Sequence, residues 1–324
     1  MVGGRFDRHR PLYLALILLW LFLLPLTSYP WGREGHVAIT NKAIDILSGS
    51  LKELFDLNRD ELIRLSNVPD WEWKENPDTR YTATWHYLDI DKFDFKYPFE
   101  DFPRDKAELK KLYEERGEAG YLPWTIADYY VKLVRAFKKG DLESIIYYAG
   151  IVSHFIGDST MPLHCTRNYN GAFSGNYKFA VPYDSPDYAH KGVHQRFEIG
   201  LMERYLEGYR AELNERKLSL SRLPEDKLEY AFQIIVESFY EVDQIIYFDK
   251  AAMRAFKIKP DLEEFKSKSD KYYAFMDRHV GSLLVERLSR ASEFLASFWY
   301  SAWLEAGGPR LKTGKIKIEK VSPR

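Results

Sequence analysis

SHFIGDSTMPLHC, residues 153–165, is the stretch on which the fold turns. It completes a run that opens at a capping aspartate, Asp141, in DLESIIYYAGIVSHFIGD, and is apolar on nearly every face. That pattern predicts a central, buried helix. Yet His154 and Asp158 lie four residues apart in it, which places them on one helical face, one turn from each other. Pro162 ends or kinks the helix and lets His164 swing back toward the same place. A lone buried histidine is more often hydrogen-bonded in a core than bound to a metal. The carboxylate changes that balance, because a buried charge left without its partner costs about 3–5 kcal/mol. No Lys or Arg lies within a turn of Asp158 to compensate it.

A second pair with the same spacing, His194 and Glu198 in GVHQRFE, offers another imidazole and carboxylate one turn apart. Helical bundles build metal sites in this way. Read alone, this pair is an exposed helical pair, since Gln195 and Arg196 flank it. Together with His154, Asp158 and His164 it points to metal. The chain has 8 histidines, and five fall in this set once His36 of WGREGH and His86 of TATWHYLDID are added. Asp70, in NVPDWEW, joins them.

The rest of the chain is helical in pattern, and no strand alternation of any length or internal repeat is read from it. GHVAITNKAIDILSG ends on Gly49, LPWTIADYYVKLVRAFKKG has Pro123 in its first turn and Gly140 after its last, and three further apolar-periodic stretches follow Tyr188. The last of these, from Gly281, is the longest. The fold class is therefore all-α, a multi-helix bundle. Residues 87–104 and 165–189 read as long loops rich in Tyr, Phe, Asp and Gly, a length usually reserved for function. Residues 307–324 form a basic C-terminal tail, expected to fray outside the core.

The first ten residues are net basic and precede the apolar run PLYLALILLWLFLLPLTSYP. Residues 1–30 are thus expected to be a signal peptide or an uncleaved N-terminal anchor, with the remainder secreted or extracytoplasmic. Cys165 is the only cysteine, so no intrachain disulfide can form. The net charge of -1 argues against a broad electrostatic grip on nucleic acid or anionic membrane.

Trp31, His36, Asp70, His86, His154, Asp158, His164, His194 and Glu198, in that order, resemble the ligand series of the zinc-dependent phospholipase C and S1/P1 nuclease superfamily. The resemblance implies an all-α hydrolase domain over residues 31–306, with three zinc ions in a cleft. By position, Asp70, His86, His154 and Asp158 would hold the first. His164, His194 and Glu198 would hold the second. The third would take His36, Asp158 and the main-chain amino and carbonyl groups of Trp31, which implies cleavage before Trp31. Phosphoric ester hydrolysis follows, by attack of a zinc-bound hydroxide on phosphorus, with Asp70 orienting it as the catalytic residue.

The substrate is pulled two ways. Glu198 and HVAITNKAIDIL are similar to the phospholipase branch, whereas WGREGH and FIGDSTMPLH are similar to the nucleases. Glu34 and Trp71 stand where the phospholipases build a choline cage, and a further cage aromatic falls on Ala83. The leading expectation is cleavage of phospholipid head groups with contact to the membrane surface. The runner-up is hydrolysis of single-stranded nucleic acid, which would need an aromatic stacking site and cations near the metals. A third reading is a non-catalytic surface protein that zinc holds together. No protein partner is read from the sequence.

Overall fold

Helices of alternating apolar pattern need a common partner, and here the partner is the 153–165 stretch itself. The computed structural model describes residues 32–171, 192–258 and 262–324. In chain order the helices are α1 (Gly32–Ile46), α2 (Gly49–Leu57), α3 (Arg59–Val68), α4 (Lys106–Arg116), α5 (Leu122–Lys139), α6 (Leu142–Thr160), α7 (Val193–Gln195), α8 (Met202–Arg204), α9 (Leu206–Glu215), α10 (Lys227–Tyr240), α11 (Val242–Ala255) and α12 (Leu262–Glu305). No strand occurs among the described residues, so the molecule is all-α. No described helix is long and apolar enough to cross a membrane.

Helix α6 sits at the centre and packs against α1, α3, α5, α10 and α12. Its start is fixed by the Asp141 side chain, which accepts from the Ser144 N–H at 3.2 Å, and its end by Pro162. Ile145, Ile151, Val152, Phe155 and Ile156 are fully buried, each contributing on the order of 1.5–3 kcal/mol. Where α3 crosses α6, a Cβ on Gly150 would lie 2.5 Å from the Leu65 Cβ, so only glycine permits this approach. Helix α5 begins and ends as its sequence predicts, with Pro123 in the first turn and Gly140 in the left-handed region at φ 65°.

Three expectations change. The stretch expected to begin at Gly281 belongs to α12, which starts at Leu262; its polar first third, KSKSDKYYAF, masks the helical period. One expected helix after Asp226 is two, α10 and α11, which break at Glu241. The tail does not fray. Its apolar residues alternate with lysines in KIKIEKV, and this face lies along α2 and α3 with Ile318 buried. Asn58 Nδ2 donates to the Gly314 carbonyl at 2.9 Å and Asn58 Oδ1 accepts from the Ile316 N–H at 2.6 Å. The Trp73 indole donates to the Val321 carbonyl at 3.0 Å. Asn58→Ala is therefore expected to cost about 1–3 kcal/mol in urea unfolding, because it leaves buried main-chain groups unsatisfied. An unchanged midpoint would contradict the strap.

Candidate metal centre and cleft

Each residue of the candidate series, Trp31 apart, lies among the described residues, and the fold gathers all eight. Trp31 and residues 1–30 lie outside them. His154 and Asp158 project from α6 as their spacing requires, both fully buried. The 3₁₀ turn Pro162–His164 turns the chain back, so that His164 Nδ1 stands 4.0 Å from Asp158 Oδ2. His36 comes from α1. Its ring stacks on that of His154 at 4.1 Å, and its close seat against α6 depends on Gly157, where a Cβ would lie 2.8 Å from His36 Nδ1. Asp70 sits in a π-helical turn, Pro69–Trp73, that extends α3. His86 follows the 3₁₀ turn Arg80–Trp85.

Asp158 lies between the groups. Its Oδ2 is 3.0 Å from His86 Nδ1 and 3.2 Å from His154 Nε2, while its Oδ1 is 3.6 Å from His36 Nε2. His194 and Glu198, on α7 and the π-helical turn Arg196–Leu201, are buried rather than exposed, with Nε2 and Oε2 2.5 Å apart. Glu198 Oε1 is 3.6 Å from His164 Nε2. Three sets of ligand atoms each converge within 4.8 Å: His36, His154 and Asp158; Asp70, His86 and His154; His164, His194 and Glu198.

The remaining hydrogen bonds orient these rings. His154 Nδ1 donates to the Ser66 carbonyl at 2.8 Å and His164 Nδ1 to the His86 carbonyl at 2.6 Å, which leaves each Nε2 facing its group. Both ring nitrogens of His36, and Nε2 of His164, are buried with no hydrogen-bond partner in the chain. Buried polar atoms are almost always satisfied, so imidazoles left this way fit a metal. The donors are imidazole nitrogens and carboxylate oxygens, a set that suits zinc. Cys165 is not among them; its thiol faces the Ser159 and Met161 carbonyls, and burial pushes it far above its ordinary range.

Burial keeps three imidazoles neutral. It pushes His36 down to about 3, His86 down to about 3 with help from Lys74, and His194 down to about 4. Burial opposes the charged form of His154 as well, but Asp158 and Asp70 outweigh it and raise His154 to about 10. Burial likewise opposes ionisation of Asp158, which His154 and His164 hold well below the carboxylate range. Glu198 is pushed up by burial to about 7, against the pull of His164.

Sequence reading missed several residues here. Lys74, one turn after Asp70, places its Nζ 2.6 Å from Asp70 Oδ1. The spacing of four was the available signal, but nothing local shows that this face turns inward. A cleft of about 280 Å³ opens beside the metal groups, where Lys74, Tyr87, Asp89 and Tyr169 join His86, His164 and His194. Burial, then the neighbouring Asp91, pushes Asp89 up to about 7. Behind Glu198, Arg196 turns into the core and pairs with Asp249, 53 residues away, through Nε and Nη2, each at 2.9 Å. The Tyr272 hydroxyl donates to the same carboxylate at 2.5 Å. Asp249 of α11, held by Tyr272 of α12, thus pins the turn that carries Glu198. Asp249→Ala would strand the buried guanidinium and is expected to cost about 3–5 kcal/mol in chemical unfolding; a loss under about 1 kcal/mol would refute the clamp.

Glu34 and Trp71 are already served by cations of the chain. Glu34 Oε2 pairs with Arg210 at 2.5 Å, and the Arg33 guanidinium lies 5.5 Å from the Trp71 ring centroid. A quaternary ammonium would have to displace both. The aromatic stretch FDFKYPFEDF, residues 93–102, turns Phe93, Phe99 and Phe102 into the core and leaves Tyr97 exposed.

Against known proteins, the model of the S1/P1 nuclease family matches residues 31–273. Endonuclease 4 of Arabidopsis thaliana is 28% identical over 149 residues, 41% of this chain and 44% of the relative. Phospholipase C of Bacillus cereus is 23% identical over 157 residues, 45% of this chain and 48% of the relative. The match thus spans under half the length of either curated relative. Among solved structures, the alpha toxin of Clostridium absonum aligns with a TM-score of 0.44 and 13% identity, over 83% of this chain and 63% of the toxin.

Proposed function

Because the chain belongs to the S1/P1 nuclease family, we propose that it is a zinc-dependent phosphodiesterase whose substrate is single-stranded nucleic acid. The observation that carries the substrate is the wall of Tyr87, Asp89 and Tyr169 beside His86, His164 and His194. Tyrosine rings offer faces on which a base stacks, worth about 1–3 kcal/mol per base. Asp89, held near neutrality at about 7, can both donate to and accept from a base edge. Lys74 brings a cation to the phosphate position, where it opposes charge gathering on the phosphoryl oxygens. Asp70 Oδ1, beside that ammonium, holds and orients the attacking water and takes its proton.

By the family resemblance, three zinc ions would be held by Asp70, His86, His154 and Asp158; by His164, His194 and Glu198; and by His36, Asp158 and the main chain of Trp31, which lies outside the described residues. When bound, zinc supplies an acidified water and positive charge against the phosphoryl group. His154 must give up a proton to become a ligand. Raised to about 10, it is protonated at neutral pH in the metal-free chain, so zinc uptake at pH 7.5 is expected to release protons and to strengthen as pH rises toward 10. Calorimetric titrations in two buffers of different ionisation enthalpy test this, and equal heats would contradict it.

Hydrolysis of phospholipid head groups is the second reading, and the one the sequence puts first. Its support is the likeness to the Bacillus cereus enzyme and the exposed Trp71 next to Asp70. The cations over Glu34 and Trp71, and the inward phenylalanines, weigh against it. A non-catalytic role has no use for the Lys74 ammonium, which lines the cleft and pairs with the buried Asp70 carboxylate. Tyr87→Ala is expected to raise KM for a dinucleotide by about tenfold or more with kcat little changed. An unchanged KM would remove the stacking wall and with it the substrate choice. Extracytoplasmic placement belongs to the same proposal, and N-terminal sequencing that found Trp31 first would support it.

A further inference from the structure

The Arg80–Trp85 turn borders two concavities. Ala83 lines the cleft, and Trp85, immediately before His86, lines a second groove of about 380 Å³ formed with α4 and α5. Its apolar lining is chiefly aromatic, with half-buried Trp85 and Tyr121 above the buried Trp124 and Tyr129. These rings are fixed before any ligand arrives. The Trp124 indole donates to the Arg104 carbonyl at 2.8 Å, Tyr121 packs edge-on to Trp124, and Trp85 is held edge-on by Trp73, Tyr81 and Phe155. Lys106, Lys110 and Lys132 supply cations to the same groove.

Lys106 and Lys110 are available to an anion. Lys106 pairs with Asp128 at 2.7 Å and Lys110 with Glu114 at 3.7 Å, but all four side chains are more than half exposed. Exposed pairs of this kind are worth about 0–1 kcal/mol and reopen readily for a phosphate. Lys132 lies over the Tyr129 ring at 4.6 Å and donates to the Arg324 carbonyl. Stacking rings with flanking ammonium groups are the chemistry that grips a single strand. An acyl chain would want aliphatic walls, and Leu109, the aliphatic residue here, is almost fully buried.

We infer that this groove is an auxiliary nucleotide subsite, holding a base and phosphate of the strand whose scissile bond lies in the cleft. The inference rests on the nucleic-acid reading above, and it predicts that longer strands bind better than dinucleotides. The test uses the zinc-loaded full chain carrying Asp70→Asn, so that binding is read without turnover. Labelled dodecathymidylate is titrated against this protein, against K106Q/K110Q and Tyr121→Ala made in it, and against K138Q/K139Q, which removes the same charge at the far end of α5.

Both groove variants should weaken binding by about fivefold or more, and K138Q/K139Q should not. The lysine variant should also flatten the slope of log Kd against log salt by roughly 1.4, the value for two lost phosphate contacts on a single strand. Tyr121→Ala should leave that slope unchanged. With Asp70 restored, K106Q/K110Q should lower kcat/KM for the dodecamer relative to dithymidylate. Unchanged dodecamer affinity in the groove variants, or an equal loss in K138Q/K139Q, would overturn the subsite. Groove-dependent binding without hydrolysis of any nucleic acid by the unsubstituted chain would uphold the groove as a strand-binding site and sink the nuclease reading.

Discussion

Asp70→Asn should lower kcat by about 10²–10⁴-fold while the zinc content of the purified protein stays within reach of the unsubstituted chain. The size follows from what a positioned general base contributes. Asparagine keeps the shape of the side chain and an oxygen that can still ligate, but it cannot take a proton. The structure gives the carboxylate a second reason to remain ionised: burial opposes the charge, yet Lys74, His154 and His86 hold Asp70 well below the ordinary range. The discriminating readout is the pH profile. If Asp70 is the base, the variant should lose rate at every pH rather than shift its optimum. A variant with near-normal kcat and reduced zinc would recast Asp70 as a ligand only.

Asp158→Ala should be the most damaging single change to the centre as a whole. The carboxylate is completely buried and lies within 4.0 Å of nitrogens from His36, His86, His154 and His164. Removing it takes a shared oxygen ligand from two of the proposed ions and leaves His154 a single carboxylate neighbour, Asp70. Loss of one partner from a buried ionic group costs about 3–5 kcal/mol, which corresponds to a Tm lowered by roughly 4–8 °C for a chain of this size. Zinc analysis and calorimetry of the purified variant read both effects. Full zinc content with an unchanged Tm would show that Asp158 is not the hub of the centre.

The centre was legible because its residues sit on strong local signals. Helix α6 announces itself through Asp141, Pro162 and an uninterrupted apolar run, and His154 and Asp158 are anomalous against that background. Asp70 was found by resemblance rather than by period, whereas Glu198 was found by its spacing of four from His194. Each lies in a π-helical turn, Pro69–Trp73 and Arg196–Leu201, where one extra residue per turn slips the helical register. The same slip turns Arg196 inward, so the residue that made His194 and Glu198 read as exposed is the one that buries them. Its partner Asp249 is too distant in sequence for any local pattern to pair them. The tail carried its signal openly in the alternation of KIKIEKV, but the lysines between the isoleucines read as solvated charge.

What remains open to direct test is the identity of the phosphodiester. The zinc-loaded protein should be given single-stranded DNA and phosphatidylcholine vesicles side by side, each with and without chelator. Cleavage of the DNA that chelator abolishes is expected, with no release of phosphocholine. Chelator-sensitive release of phosphocholine with intact DNA would contradict it and return Glu34 and Trp71 to the centre of the substrate question.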